Sequence, residues 1–130
     1  MIVIDASAMV EALIGRDCDS ELLDALAADV AAPYLLDVEV LSALRALLLG
    51  GRLEPDAAED ARVNHFALSL IRLDIPPLAD RIWSLRHQHT SCDAAYIALA
   101  EALDAPLYTC DDELAGTSHQ AHVRVFLRTH

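Results

Sequence analysis

Short apolar runs alternate with helical stretches along the whole of this chain, and that alternation restricts the fold more than any other feature. Ile2 to Ile4 is apolar and β-branched and ends at Asp5, the pattern of a buried strand. Ser7 opens a helical stretch through Leu13 that Gly15 stops. Asp19 to Ala28 carries Leu22, Leu23, Leu26 and Ala27 at amphipathic helical spacing, and Val30 to Ala32 suits a second strand before Pro33. A long helix follows from Leu35 to Leu49, closed by Gly50-Gly51. The next starts near Glu54, with Pro55 in its first turn, and runs to Ile71. Arg72 to Ile75 then reads as a strand and Leu78 to Arg86 as a helix. Thr90-Ser91 supplies capping hydroxyls before a helix from Asp93 to Leu103. Pro106 to Cys110 is a strand, Asp111 to Ala115 a short helix, and Val123 to Phe126 a last strand. Right-handed crossovers between such strands build a mostly parallel sheet. No repeat, low-complexity tract or long linker interrupts the chain, so residues 1–130 read as a single α/β domain.

Composition excludes several activities. Apolar residues make up 55 % of the chain, too many for a disordered one, and aromatic residues only 5 %, so Leu, Ala, Val and Ile must fill the core. All nine basic residues are Arg. Without Lys there is no P-loop and no phospho-acceptor receiver site, and four scattered glycines cannot write G-x-G-x-x-G. A formal net charge of -12 argues against a simple electrostatic nucleic-acid binder and suits solubility, bound cations or a basic protein partner. Cys18, Cys92 and Cys110 are odd in number and lack C-x-x-C spacing, so they read as reduced, packed thiols. No basic segment precedes the first apolar stretch and no apolar run approaches the roughly 18 residues of a membrane span, so no membrane association and a cytoplasmic location are expected.

In an open α/β sheet, ligands bind outside the carboxyl ends of the strands. Asp5 and Asp111 lie there, and Asp93 lies in the first turn of its helix. Each has a second reading as a helix cap. Glu39 sits in a helix that is apolar at Leu36, Val38, Val40, Leu41, Leu44, Leu47 and Leu48. Neither Ser42, Ala43 nor Ala46 can pair with its charge, and Arg45 projects well round the helix. Buried and unpaired, such a carboxylate requires a cation, a metal or a proton; on the solvent edge it requires nothing. Asp37 falls about 200° away from Glu39 and reads as a first-turn charge. Asp112 and Glu113 read as solvated. Carboxylates without thiolate or imidazole suit Mg2+ or Mn2+, which would remove their mutual repulsion and assist phosphodiester hydrolysis. Spacing alone does not establish that they converge.

These residues resemble a known family. Val3-Ile4-Asp5-Ala6-Ser7 is similar to the first motif of PIN-domain ribonucleases, Asp93 to Glu101 to the third and Leu107-Tyr108-Thr109-Cys110-Asp111 to the fourth. Glu39, within Val38-Glu39-Val40-Leu41, falls where that family carries its helix glutamate. Length and element order agree over essentially the whole chain, which resembles the VapC toxins of bacterial toxin–antitoxin pairs. The resemblance implies a PIN-like three-layer fold, with a small, mostly parallel central sheet flanked by helices. It implies an endoribonuclease dependent on Mg2+ or Mn2+, with Asp5, Glu39, Asp93 and Asp111 as the catalytic, metal-binding set and Ser7 and Thr109 as supporting hydroxyls. An RNA substrate, a cognate antitoxin and a homodimer follow from it as well. In one departure, two further acids follow Asp111 where many relatives have a basic residue.

Other readings compete. His87-x-His89-x-x-Cys92 supplies three zinc-compatible side chains without a regularly spaced fourth. Arg45, Arg81 and Arg86 suit RNA phosphates, a dimer partner or pairing with nearby acids. A non-catalytic PIN-fold binding module acting through a protein partner is the alternative function, and the filled acidic positions count against it. A phosphatase of the haloacid-dehalogenase type would end its strand in D-x-D, whereas Asp5-Ala6 is followed by Ser7.

Overall fold

Val3 and Ile4 have no exposed surface because the strand they form is the middle one of a sheet covered on both faces. The computed structural model describes residues 1–130. Strands β1 (Ile2–Ile4), β2 (Val30–Pro33), β3 (Leu70–Leu73), β4 (Leu107–Thr109) and β5 (Val123–Val125) pair in the order β3-β2-β1-β4-β5. Every pairing is parallel, in register Val3↔Ala31 with β2 and Ile4↔Tyr108 with β4. The inner strands β1, β2 and β4 are largely buried on both faces and read as continuous apolar runs, whereas β3 and β5 at the edges are only partly covered and each carry an Arg.

Helices α1 (Ala6–Ile14), α3 (Leu35–Leu49) and α4 (Pro55–Ala67) pack on one another, with α2 (Ser20–Ala25) against α1. Helix α6 (Ser91–Leu103) crosses β1, β2 and β4 and carries α5 (Ala79–Ser84). Its residues Ala94 to Ala100 are all buried. One core runs through all of these elements, and each fully buried Leu or Ile in it contributes about 1.5–3 kcal/mol.

Several boundaries differ from those the sequence suggests. Helix α4 ends at Ala67 and β3 occupies Leu70–Leu73, whereas the sequence extends the helix to Ile71 and starts the strand at Arg72. Leu68 to Ile71, apolar except for Ser69, suits either period, and pairing of Leu70 with Val30 decides for strand. Helix α1 begins at Ala6 with Asp5 as its cap, so Ser7 does not open it. Helix α3 buries only Leu36, Val40 and Leu44, while Val38, Leu41 and Leu49 are exposed. An apolar composition does not by itself bury a helix on most sides.

The order of strands positions the site. From β1 the chain builds outwards through β2 to β3, then returns to place β4 on the other side of β1. The carboxyl ends of β1 and β4 therefore flank the point where the winding reverses, the usual crevice for a ligand.

Candidate active site

Asp5 follows β1 directly, and the register that sets Ile4 beside Tyr108 sets Asp5 beside Thr109. The Asp5 backbone N–H donates to the Tyr108 carbonyl at 3.1 Å. Its buried carboxylate accepts three hydrogen bonds: from the Ser7 hydroxyl at 2.7 Å, the Ala8 backbone N–H at 3.0 Å and the Thr109 hydroxyl at 2.5 Å. Asp5 thus caps α1, and the same carboxylate also faces the end of β4. Ser7 and Thr109 stand 3.2 Å apart and also accept from the backbone N–H groups of Cys110, at 2.8 Å, and Asp111, at 2.9 Å. The two hydroxyls therefore stitch the start of α1 to the loop after β4.

Asp5, Glu39, Asp93 and Asp111 all line one cavity of about 160 Å3, together with Ser7, Tyr96 and Arg128. Asp93 lies in the first turn of α6, where the Thr90 hydroxyl caps its backbone N–H at 3.2 Å. Asp111 caps the turn that follows it through the Glu113 N–H at 3.0 Å. Asp112 and Glu113 are exposed and stay out of this cavity. The acids raise one another's proton affinity. Burial pushes the Asp5 carboxyl above its usual range, opposed by its three donors and reinforced by Asp111. Burial also raises Glu39, with Asp5 and Asp93 adding to it, and raises Asp93, with Asp111 and Asp5 adding to it.

An all-oxygen donor set that crowds negative charge in a partly desolvated pocket suits a hard divalent cation. As the side chains stand, no three His, Cys, Asp or Glu residues are arranged to hold a metal ion. The donor chemistry fits the ion, and closing on it requires side-chain movement. His87, His89 and Cys92 form no such group either; His89 Nε2 bonds the Ser118 hydroxyl at 3.0 Å. The largest concavity, about 680 Å3, lies beyond the other end of α1 and contains none of the four acids.

A model of the PIN domain matches residues 2–119. The chain belongs to the PIN domain family. Ribonuclease VapC12 of Mycobacterium tuberculosis is 36 % identical over 127 residues, 96 % of this chain and 98 % of its own length. Ribonuclease VapC1 of the same species is 41 % identical over 120 residues, 87 % of each chain. Among solved structures, PAE2754 from Pyrobaculum aerophilum superposes with a TM-score of 0.73 at 23 % identity, covering 94 % of this chain and 81 % of that one. A toxin–antitoxin complex from Klebsiella pneumoniae gives 0.65 at 21 % identity, covering 91 % and 93 %. Both structures share the α/β fold described above, while the likeness in sequence is to the two VapC ribonucleases, at 36–41 % identity.

Other residues of this PIN domain depart from what the sequence suggests. Glu39 has no partner on its own helix, but the buried Tyr96 of α6 donates its hydroxyl to it at 2.5 Å. A tyrosine within the run Ala94 to Ala100 must find a partner for its hydroxyl, and that is the signal the apolar pattern hides. Asp37 is more than a first-turn charge: Arg72 of β3 donates to it at 2.7 and 3.0 Å, and buried His65 of α4 bonds it at 2.8 Å. These bonds, with Arg72 first among the partners, hold the Asp37 carboxyl below its usual range against the effect of burial. Arg81 pairs with Glu101 at 2.7 Å and Arg86 lies over the Trp83 ring, so neither faces the acids. Cys92 is exposed rather than packed. Burial raises the Cys110 thiol to about 11, which keeps it protonated and inert.

Proposed function

We propose that this chain is an endoribonuclease dependent on Mg2+ or Mn2+, the toxin of a bacterial toxin–antitoxin pair. One observation carries the reading: Asp5, Glu39, Asp93 and Asp111, from four separate segments, line a single cavity at the switch point of a PIN fold. Relatives that are ribonucleases by name match 87 % or more of the chain at 36–41 % identity, which supports RNA as the substrate.

When bound, Mg2+ or Mn2+ supplies positive charge that offsets the crowded carboxylates and polarises the phosphodiester and its attacking water. The protein's part is positioning. Asp5 is held in place by three donors, so the fixed edge of the site is set before any ligand arrives. Tyr96 holds Glu39 in the same way, at 2.5 Å. Asp93 is held less than Asp5, with the Thr90 hydroxyl the one hydrogen-bonding side chain beside its carboxylate, so it is the acid most able to turn toward a cation or to take a proton from water. Attack roughly in line with the leaving oxygen needs no covalent intermediate with the chain.

The partner reading rests on surface chemistry. Val38, Leu41 and Leu49 of α3 and Val63 and Phe66 of α4 are exposed on helices that pack together, an apolar surface suited to a second copy or to an antitoxin. The net charge of -12 suits a basic antitoxin. The Klebsiella neighbour was solved as a toxin–antitoxin complex.

The test is cleavage of total bacterial RNA by the purified, antitoxin-free chain in Mn2+, beside EDTA and beside Asp93→Asn. Cleavage in Mn2+ that EDTA and the variant abolish is expected. Cleavage that survives both overturns the assignment.

A further inference from the structure

The four carboxylates share their cavity with a single cation, Arg128, which no motif contains. Its guanidinium forms no ion pair with any of them and is exposed to solvent. The arginine side chains that donate hydrogen bonds within the protein are those of Arg62, Arg72, Arg81, Arg86 and Arg124, so all the donors of Arg128 are available. Arg128 and Asp111 also line an adjoining cleft of about 470 Å3 beside Val125 and Phe126, so Arg128 stands where that cleft opens into the acid cavity.

The backbone around Arg128 is anchored on both sides. Upstream, the backbone N–H of buried Phe126 donates to the Thr109 carbonyl at 2.8 Å, continuing the β4 pairing. Downstream, Thr129 is tied to Glu11, a wholly buried carboxylate on α1 that the proposed chemistry does not use. Glu11 accepts from the Thr129 N–H at 2.7 Å and from the Thr129 hydroxyl, and bonds His130 Nδ1 at 2.7 Å. Thr129 in turn accepts the Asp17 N–H at 3.1 Å. Gly15 is required here because a Cβ would run into the Glu11 carboxylate. A buried glutamate and a glycine are thus committed to a short tail whose next residue is Arg128.

We propose that Arg128 is a substrate-binding residue that grips a phosphate of the RNA backbone as it enters the acid cavity, and that Thr129, through Glu11, is its positioning residue. A guanidinium is the side chain best matched to two phosphate oxygens, and an unpaired one beside four carboxylates is open to an anion that a bound cation draws in. It also supplies, from the tail, the positive charge that the acids after Asp111 deny to that edge. The proposal rests on the ribonuclease reading.

The experiment uses the full chain with a random-sequence single-stranded RNA carrying a fluorophore and a quencher, in Mn2+, with KM and kcat read across a salt series. For Arg128→Gln, KM should rise about 10-fold, the lower end for a charge-assisted phosphate contact, with kcat within about 3-fold of wild type. The slope of log kcat/KM against log salt should become shallower by about 0.7, one phosphate contact. Stabilisation by Mn2+ should be at least as large as in wild type, since a cation leaves the acid cavity. Thr129→Val should raise KM in the same direction, Thr129→Ser should restore it, and Thr129→Val should add little to Arg128→Gln. Unchanged KM and salt slope in Arg128→Gln, with the wild type active, overturn the role of Arg128 and leave the ribonuclease reading standing. A wild type without cleavage and without stabilisation by Mn2+ overturns both.

Discussion

Asp5 holds two roles that one substitution separates. Its carboxylate caps α1 through the Ala8 N–H and also lines the acid cavity. Asparagine is as good a cap as aspartate, so Asp5→Asn should keep the helix while removing the charge. Asp5→Ala should lose both, at a cost of about 1 kcal/mol of stability. Urea denaturation beside RNA cleavage is the measurement, and both variants should be inactive while only the alanine unfolds earlier. Activity in Asp5→Asn would show that the negative charge is dispensable. Asp5, Asp93 and Asp111 were legible in the sequence because each sits at a strand or helix boundary, where the fold class alone predicts a crevice. Tyr96 was not, because its spacing is that of a core residue and its partner lies 57 positions away. Arg128 was not, because it follows the last strand in a tail without periodicity.

Two tethers made of buried or half-buried carboxylates fix the helices around the cavity. Asp37 ties α3 to β3 and α4, so the helix carrying Glu39 is held at its first turn. Glu11 ties α1 to the tail. Nothing in the sequence distinguishes these acids from solvated ones, since their partners are 28 to 119 positions away. The strand and helix order, by contrast, was readable because each element declares itself locally, with α4 and β3 the exception for want of a stop signal between Ala67 and Leu70. The Glu11 tether predicts a pH dependence of stability. Burial alone would raise its carboxyl, yet bonds from Thr129 and His130 bring it below its ordinary value of 4.5. A folded-state value below the unfolded one stabilises the fold above the unfolded value, and that stability is lost as pH falls through the folded value. Thr129 and His130 face it from the tail, and the neighbouring thiols of Cys18 and Cys110 are neutral in that range. Glu11→Gln should therefore be less stable than wild type by about 1.5–3 kcal/mol at pH 7, the usual worth of a hydrogen bond to a charged group. Urea midpoints should converge between pH 4.5 and the acid limit of folding. A gap that stays constant with pH would mean that packing, not charge, is what Glu11 supplies.

At the scale of the molecule, a net charge of -12 on 130 residues opposes compaction, and the four acids concentrate part of that charge in one cavity. Monovalent salt screens the surface charge generally but reaches a partly buried cluster poorly. A divalent cation bound in the cavity removes the local repulsion and, by mass action, raises the stability of the folded state alone. At a hundredfold excess over Kd the gain is about 2.7 kcal/mol, or about 10 °C in Tm for a chain of this length. The melting temperature in Mn2+ should therefore exceed that in NaCl of equal ionic strength by this order. The excess should vanish in Asp5→Asn, Asp93→Asn, while the general rise with NaCl remains. Equal melting temperatures in the two salts for the wild type would mean that the acids act as dispersed surface charge rather than as a cation site. The function would then lie in the exposed apolar faces of α3 and α4, as in a binding module.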